Sequence, residues 1–206
     1  LNMNLMPYTE NYLKRFLLLF KFVPFFIYIM WASETMSQTK PIVAFETTMG
    51  GFSLQLEPKK APETVKNFLK YAREGLYDGT IFHRVINKFM IQGGGFDTDM
   101  KERETFDPIL NEADIALANK RGTISMARTS DPHSATSQFF INVVYNKFLD
   151  HTNKSPQGWG YTAFGRVIDG MNVVGRISRV TTGSIGPYSD VPTTPVIIKK
   201  VSITSE

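Results

Sequence analysis

From Pro41 onward the chain alternates apolar and polar positions over short runs separated by turn residues, a pattern of strands more than of long helices. Residues 42–46 form a β-favouring run, Met49-Gly50-Gly51 supplies a turn, and Phe52, Leu54 and Leu56 then alternate with polar neighbours, which predicts a hairpin. Further strands are predicted at 80–86, 89–92, 122–127, 138–143, 162–167 and 195–203. Two stretches carry helical spacing instead. Val65, Phe68, Leu69 and Ala72 lie within 62–74, closed by Gly75, and Met171, Val174 and Ile177 lie within 171–178. Many short strands with two helices predict a mainly β domain, a barrel or a sandwich whose openings the helices cover.

Strand alternation also sorts side chains by face. In 80–86, Ile81, His83 and Val85 share one face, and Phe82, Arg84 and Ile86 share the other, so Arg84 falls among apolar neighbours. An arginine there either snorkels from a barrel wall or serves a site. In 138–143, Phe139, Ile141 and Val143 read as core, while Gln138, Phe140 and Asn142 offer amide, ring and amide on the opposite face. Met90 and Gln92 alternate in the same manner. An outer face made of Arg, Gln, Met and Phe suggests a peptide-binding groove more than a solvated wall.

Composition narrows the picture. Apolar residues make up 42% of the 206 residues, enough for one domain with a buried core, and disorder is excluded for most of the chain. The net charge of +4 comes from interspersed Lys, Arg, Asp and Glu, with no basic stripe of the kind that binds nucleic acid. No cysteine is present, so thiolate and disulfide chemistry are excluded. Residues 1–36 differ from the rest: Lys14 and Arg15 precede an apolar run from Phe16 to Trp31, broken by Lys21 and Pro24. Two readings stay open for this segment. It is a secretory signal or anchor, which implies a periplasmic or inner-membrane-associated protein, or Met36 is the true start and the protein is cytoplasmic. The folded domain is expected at 37–206.

Conventional catalytic chemistry is hard to find. His83, His133 and His151 stand at no metal-ligand spacing, and neither a metal nor a cofactor is expected. Asp97-Thr98-Asp99 lacks the Gly and terminal Glu of a calcium loop and reads as a polar turn. Gly93-Gly94-Gly95 lacks the context of a phosphate loop and reads as a bulge or a close backbone approach.

Residues 81–96 (Ile-Phe-His-Arg-Val-Ile-Asn-Lys-Phe-Met-Ile-Gln-Gly-Gly-Gly-Phe), 122–127 (Gly-Thr-Ile-Ser-Met-Ala) and 137–141 (Ser-Gln-Phe-Phe-Ile) resemble the signature segments of the cyclophilins, in order, within a resemblance running from about Pro41 to Ser202. The resemblance implies a closed eight-stranded antiparallel β-barrel capped by two α-helices. It implies peptidyl-prolyl cis-trans isomerase activity and protein-folding assistance, with Arg84 catalytic. Phe89, Met90, Phe140, Phe148 and Leu149 would form the proline pocket. Gln92 and Gln138 would hold the substrate backbone, with Ala127 and Arg128 lining the groove. Phe148 and Tyr161 stand where the best-known eukaryotic members carry Trp and His. Both changes match the bacterial branch and imply weak cyclosporin binding, with Tyr161 still at the site. The partners implied are proline-containing peptides and folding proteins; a monomer is expected, with no nucleic acid and a membrane only if residues 1–36 are retained. The alternative on the same barrel is a non-catalytic holdase.

Overall fold

The computed structural model describes residues 39–206. Both readings of residues 1–36 therefore lie outside the described residues.

The predicted hairpin is present as β1 (Ile42–Thr47) and β2 (Gly50–Leu56), with Phe45 opposite Phe52. Their rings stack at 4.7 Å, so one cross-strand pair sets both the register and the buried face. Helix α1 (Pro62–Arg73) follows with proline in its first turn, where the missing N–H costs nothing. Its buried face is the predicted Val65, Phe68, Leu69 and Ala72. The Glu112 carboxylate, far along the chain, accepts from the backbone N–H of Glu63 (3.1 Å) and of Thr64 (2.9 Å), which satisfies amides the helix itself leaves unpaired.

The remaining elements are β3 (Arg84–Ile86), β4 (Met90–Gly93), β5 (Thr123–Met126), β6 (Phe139–Asn142), β7 (Ala163–Asp169), α2 (Met171–Ile177), β8 (Thr182–Ile185), β9 (Tyr188–Pro192) and β10 (Ile198–Ser205). Eight strands form one antiparallel sheet in the order β10-β1-β2-β7-β5-β6-β4-β3. The expected closed barrel is corrected here. The two outer strands, β10 and β3, share no ladder, and the sheet is an open, curled half-barrel. Between them lies the isolated bridge Ile81–Ile197, with backbone bonds from Phe82 N–H to the Val196 carbonyl and from Ile198 N–H to the Thr80 carbonyl.

The same segment explains a second correction. The predicted strand 80–86 begins only at Arg84, because the backbone of 80–82 is engaged with 196–198 instead of with β4. Alternation breaks there, so Phe82 and Val85 both enter the main core, and Phe82 does not share a face with Arg84. The two-stranded β8–β9 ribbon was not predicted, since its sequence lacks an apolar alternation and most of it is exposed.

Phe139 sits at the centre of the core, edge-on to Phe45, Phe68, Tyr77 and Phe82 with centroid distances of 5.7, 5.9, 5.4 and 6.2 Å. Each such edge-to-face pair contributes about 0.5–1.5 kcal/mol beyond burial. The glycine run is a close backbone approach: Gly94 has φ +84°, and a Cβ there would lie 2.7 Å from Cε1 of Phe139. The polar turn at Asp97 is also present, its Oδ1 accepting from the backbone N–H of Asp99 and of Lys101.

Gly94→Ala adds a left-handed backbone penalty of about 1–2 kcal/mol to an overpacking cost of about 1–3 kcal/mol. Urea unfolding is expected to show a loss of about 2–5 kcal/mol, and an unchanged midpoint would mean that the Phe139 ring can move aside.

Candidate functional site

The site follows from strand register. Arg84 on β3 lies opposite Gln92 on β4, which lies opposite Phe140 on β6; one row further, Ile86, Met90 and Asn142 oppose one another. Directly opposed side chains on one face stand ~4.5–5.5 Å apart, so the pleat alone lines up a cation, an amide and an aromatic ring. Met90, Phe140 and Leu149 form a small buried cluster, apart from the main core, against which Ile86, Phe89, Ala127 and Tyr161 pack. The resulting cavity of about 190 Å³ is lined by Arg84, Phe89, Met90, Gln92, Ala127, Arg128, Phe140, Leu149 and Tyr161. Drug-sized ligands occupy ~300–1,000 Å³, so this pocket suits one ring or side chain.

Each wall is held in place. The Tyr161 ring meets Phe140 edge-on at 5.6 Å, and a 3₁₀ turn, Lys147–Leu149, turns Leu149 inward. Gln92 donates from Nε2 to Oε1 of Gln138 at 3.0 Å, which orients both amides. Gln138 itself lines a neighbouring cavity with His83, Arg84, Gln92 and Phe96. Arg84 Nε lies 3.8 Å from Oδ2 of Asp190. Among the described residues, no group of three or more His, Cys, Asp or Glu side chains is placed to hold a metal.

A family model described as cyclophilin type peptidyl-prolyl cis-trans isomerase matches residues 42–203. Peptidyl-prolyl cis-trans isomerase B of Escherichia coli (strain K12) is 57% identical over 162 residues, covering 79% of this chain and 99% of its own length. The isomerase cyp18 of Streptomyces antibioticus is 56% identical over 161 residues, covering 78% and 97%. The chain belongs to the cyclophilin-type peptidyl-prolyl cis-trans isomerases. A solved cyclophilin of Cryptosporidium parvum superposes with TM-score 0.62 at 30% identity, covering 81% of this chain and 99% of that one. The same enzyme, crystallised in the presence of the dipeptide Ala-Pro, gives 0.61.

Within this cyclophilin two residues, Phe148 and Asn142, lie elsewhere than the sequence reading puts them. Phe148 does not line the pocket: it is 75% exposed, and its ring stacks on Phe89 at 5.6 Å along the rim, because the turn that points Leu149 inward points its neighbour out. Arg128 lines the pocket but its donors are engaged. Nε, Nη1 and Nη2 donate to the carbonyls of Gly160, Thr129 and Pro156, and the guanidinium lies 4.6 Å above the Tyr161 ring. It therefore braces the wall. Asn142 shares the face of Phe140 but is fully buried, so it does not grip a peptide.

Asn142 belongs to a buried polar network beneath the pocket that the sequence does not announce. Asn142 donates to Thr123 Oγ1 at 3.0 Å, and Asn146 donates both to Asn142 Oδ1 (2.7 Å) and to the Phe89 carbonyl (3.0 Å). Asn119 Nδ2 donates to the carbonyls of Leu149 (3.1 Å) and Tyr161 (3.2 Å), while its Oδ1 accepts from Ser125 Oγ (2.7 Å). Three walls of the pocket thus hang by their backbones from two asparagines. These residues lie far apart in sequence with no shared spacing, so only the folded chain reveals them.

Asn119→Ala leaves the Tyr161 carbonyl and the Ser125 hydroxyl without this partner, each at about 1–2 kcal/mol, while the Leu149 carbonyl keeps the Tyr161 N–H. We expect a loss of about 2–4 kcal/mol in stability together with a raised KM for Xaa-Pro peptides; a variant with wild-type stability and KM would show the network to be dispensable.

His83 packs on Phe96 at 4.6 Å, and its Nδ1 is buried with no hydrogen-bond partner. Burial first, and the neighbouring Arg84 charge second, lower its pKa from 6.5 to about 4. The unfolded chain therefore binds one more proton than the folded one between those values. Stability from this residue is full above about pH 6.5 and falls as pH drops towards 4, by on the order of 3 kcal/mol. In a His83→Gln variant, denaturant titrations from pH 7 to 4 are expected to show a shallower decline than the wild type; equal slopes would place the titration elsewhere.

Proposed function

We propose that this isomerase seats the prolyl ring of a peptide against Phe89, Met90, Phe140, Leu149 and Tyr161, and that Arg84 stabilises the twisted amide. The observation that carries the reading is the row Arg84–Gln92–Phe140, in which a guanidinium and an amide stand beside a ring-sized apolar pocket. The crystallisation of the Cryptosporidium parvum relative in the presence of Ala-Pro supports this class of substrate.

Rotation about a peptide bond is slow because resonance gives C–N partial double-bond character, with a barrier of ~18–20 kcal/mol. In the twisted state the nitrogen lone pair is no longer delocalised, and it becomes a hydrogen-bond acceptor. A guanidinium presents five N–H donors in a fixed fork and no acceptor, so it can serve that lone pair. The planar amide offers no equivalent acceptor, so the contact favours the transition state over either isomer. Gln92, held by Gln138, is placed to take the neighbouring backbone. The pocket fixes the ring while the acyl side turns. No covalent bond is made or broken, and no acid, base or cofactor is required. A purely binding role leaves the cation at the pocket mouth without a purpose, which favours the catalytic reading over a holdase.

Arg84→Ala is expected to lower kcat/KM on a Xaa-Pro peptide by about 10²-fold, the usual cost of one transition-state donor, with the fold unchanged by circular dichroism. A folded Arg84→Ala protein with wild-type turnover would remove Arg84 from the mechanism.

A further inference from the structure

The β8–β9 ribbon adds nothing to the main sheet. β8 is exposed along its whole length, and of β9 only Val191 and Pro192 are buried. The ribbon is nevertheless tied to the active site. The Tyr188 ring meets Phe96 edge-on at 5.2 Å, and Phe96 packs on His83 at 4.6 Å. That column of three rings ends at the residue immediately before Arg84. Pro187, Tyr188 and Ser189 also line the second cavity, of about 350 Å³, together with Arg84 and Gln92.

At the foot of this arrangement Asp190 brings Oδ2 to 3.8 Å from Arg84 Nε. Among the described residues it is the one carboxylate at ion-pair distance from Arg84. Two features separate this contact from an ordinary surface pair. Asp190 has φ +61°, a left-handed conformation that strains a side-chain-bearing residue, and such strain tends to gather where function over-determines the backbone. The ion-pair contact is also made at Nε, the guanidinium nitrogen nearest the side-chain stem. The two side chains are 43% and 39% exposed, so water screens the pair and it does little for stability. Its effect falls on orientation. An arginine side chain has several rotatable bonds, and a contact at Nε removes rotamers that would aim the terminal donors away from the groove.

We propose that Asp190 is a positioning residue for Arg84, presented by the β8–β9 ribbon so that the terminal nitrogens of the guanidinium face the prolyl amide. This rests on the assignment of Arg84 to the twisted nitrogen. It assigns the ribbon a part in turnover and none in seating the prolyl ring.

The test compares Asp190→Asn, Asp190→Glu, Asp190→Gly and Arg84→Ala in the full chain, by NMR-exchange kinetics on a Xaa-Pro peptide, thermal melting, and the Nε–H resonance of Arg84, assigned through its disappearance in Arg84→Ala. Asp190→Asn is expected to lower kcat about three- to tenfold (tenfold being ~1.4 kcal/mol) with KM and Tm close to wild type, and to move the Arg84 resonance towards that of a free arginine. Asp190→Glu retains the charge and is expected to recover much of that loss. Asp190→Gly relieves the backbone strain, so its Tm holds or rises while kcat falls as in Asp190→Asn, which separates charge from folding. Wild-type kcat in Asp190→Asn, beside a folded and inactive Arg84→Ala, would overturn the positioning role alone, whatever the resonance does. Full activity in Arg84→Ala would overturn the assignment of Arg84 and the role of Asp190 with it.

Discussion

The structure depends on the one-residue alternation of β6 about the Phe139 ring. Phe139 contacts four other aromatic rings edge-on, and Gly94 gives its ring the space. Slipping β6 by one residue would turn that ring out of the core and forfeit all four contacts at once. With Phe139 fixed inward, Phe140 must face outward, opposite Gln92, and Gln92 opposite Arg84. The core thereby fixes the spacing of groups that share no contact with it, and a binding surface inherits the rigidity of a packed interior.

The pocket owes its shape to a second, polar layer. Apolar side chains make its walls, but their backbones are held by Asn119 and Asn146, and its rim by Arg128. Hydrogen bonds buried this way are directional where apolar contacts are not, and leaving one unmade is expensive. The proposed mechanism, shape and a single donor with no covalent step to commit the substrate, demands that precision.

Much of this was legible in the sequence, for identifiable reasons. Phe45, Phe52, Phe139 and Phe140 obey strand alternation, and the α1 stripe obeys helical spacing, because each reports burial by its immediate neighbours. Reading failed where distant segments overrode local pattern. The run 80–86 looks like one strand, yet residues 196–198 take the backbone of its first half and return Phe82 to the core. Sheet closure was misjudged at the same place, since a single bridge there stands in for a ladder. Asn142 alternates as expected, but the layer above it comes from 119–125 and 146, so its burial was invisible. Phe148 stands next to Leu149 in the chain, and only the turn geometry shows it stacking outside the pocket.

The Glu112 cap ties together parts of the chain that are distant in sequence. Its carboxylate serves amides of α1 that lie 48 and 49 positions earlier in the chain. Next to it, Asn111 donates to the Gly160 carbonyl, and the backbone N–H of Glu112 donates to Thr162 Oγ1, beside Tyr161 in the groove wall. One loop therefore fastens the start of a helix and the edge of a pocket. A short helix gains little firmness from its own turns, and closing a long loop carries an entropic cost before any contact rewards it. Until Glu112 is in place, the first amides of α1 lack the carboxylate that serves them in the fold. Order at the start of α1 and order at the pocket wall are thereby coupled through one loop, and whatever loosens that loop loosens both.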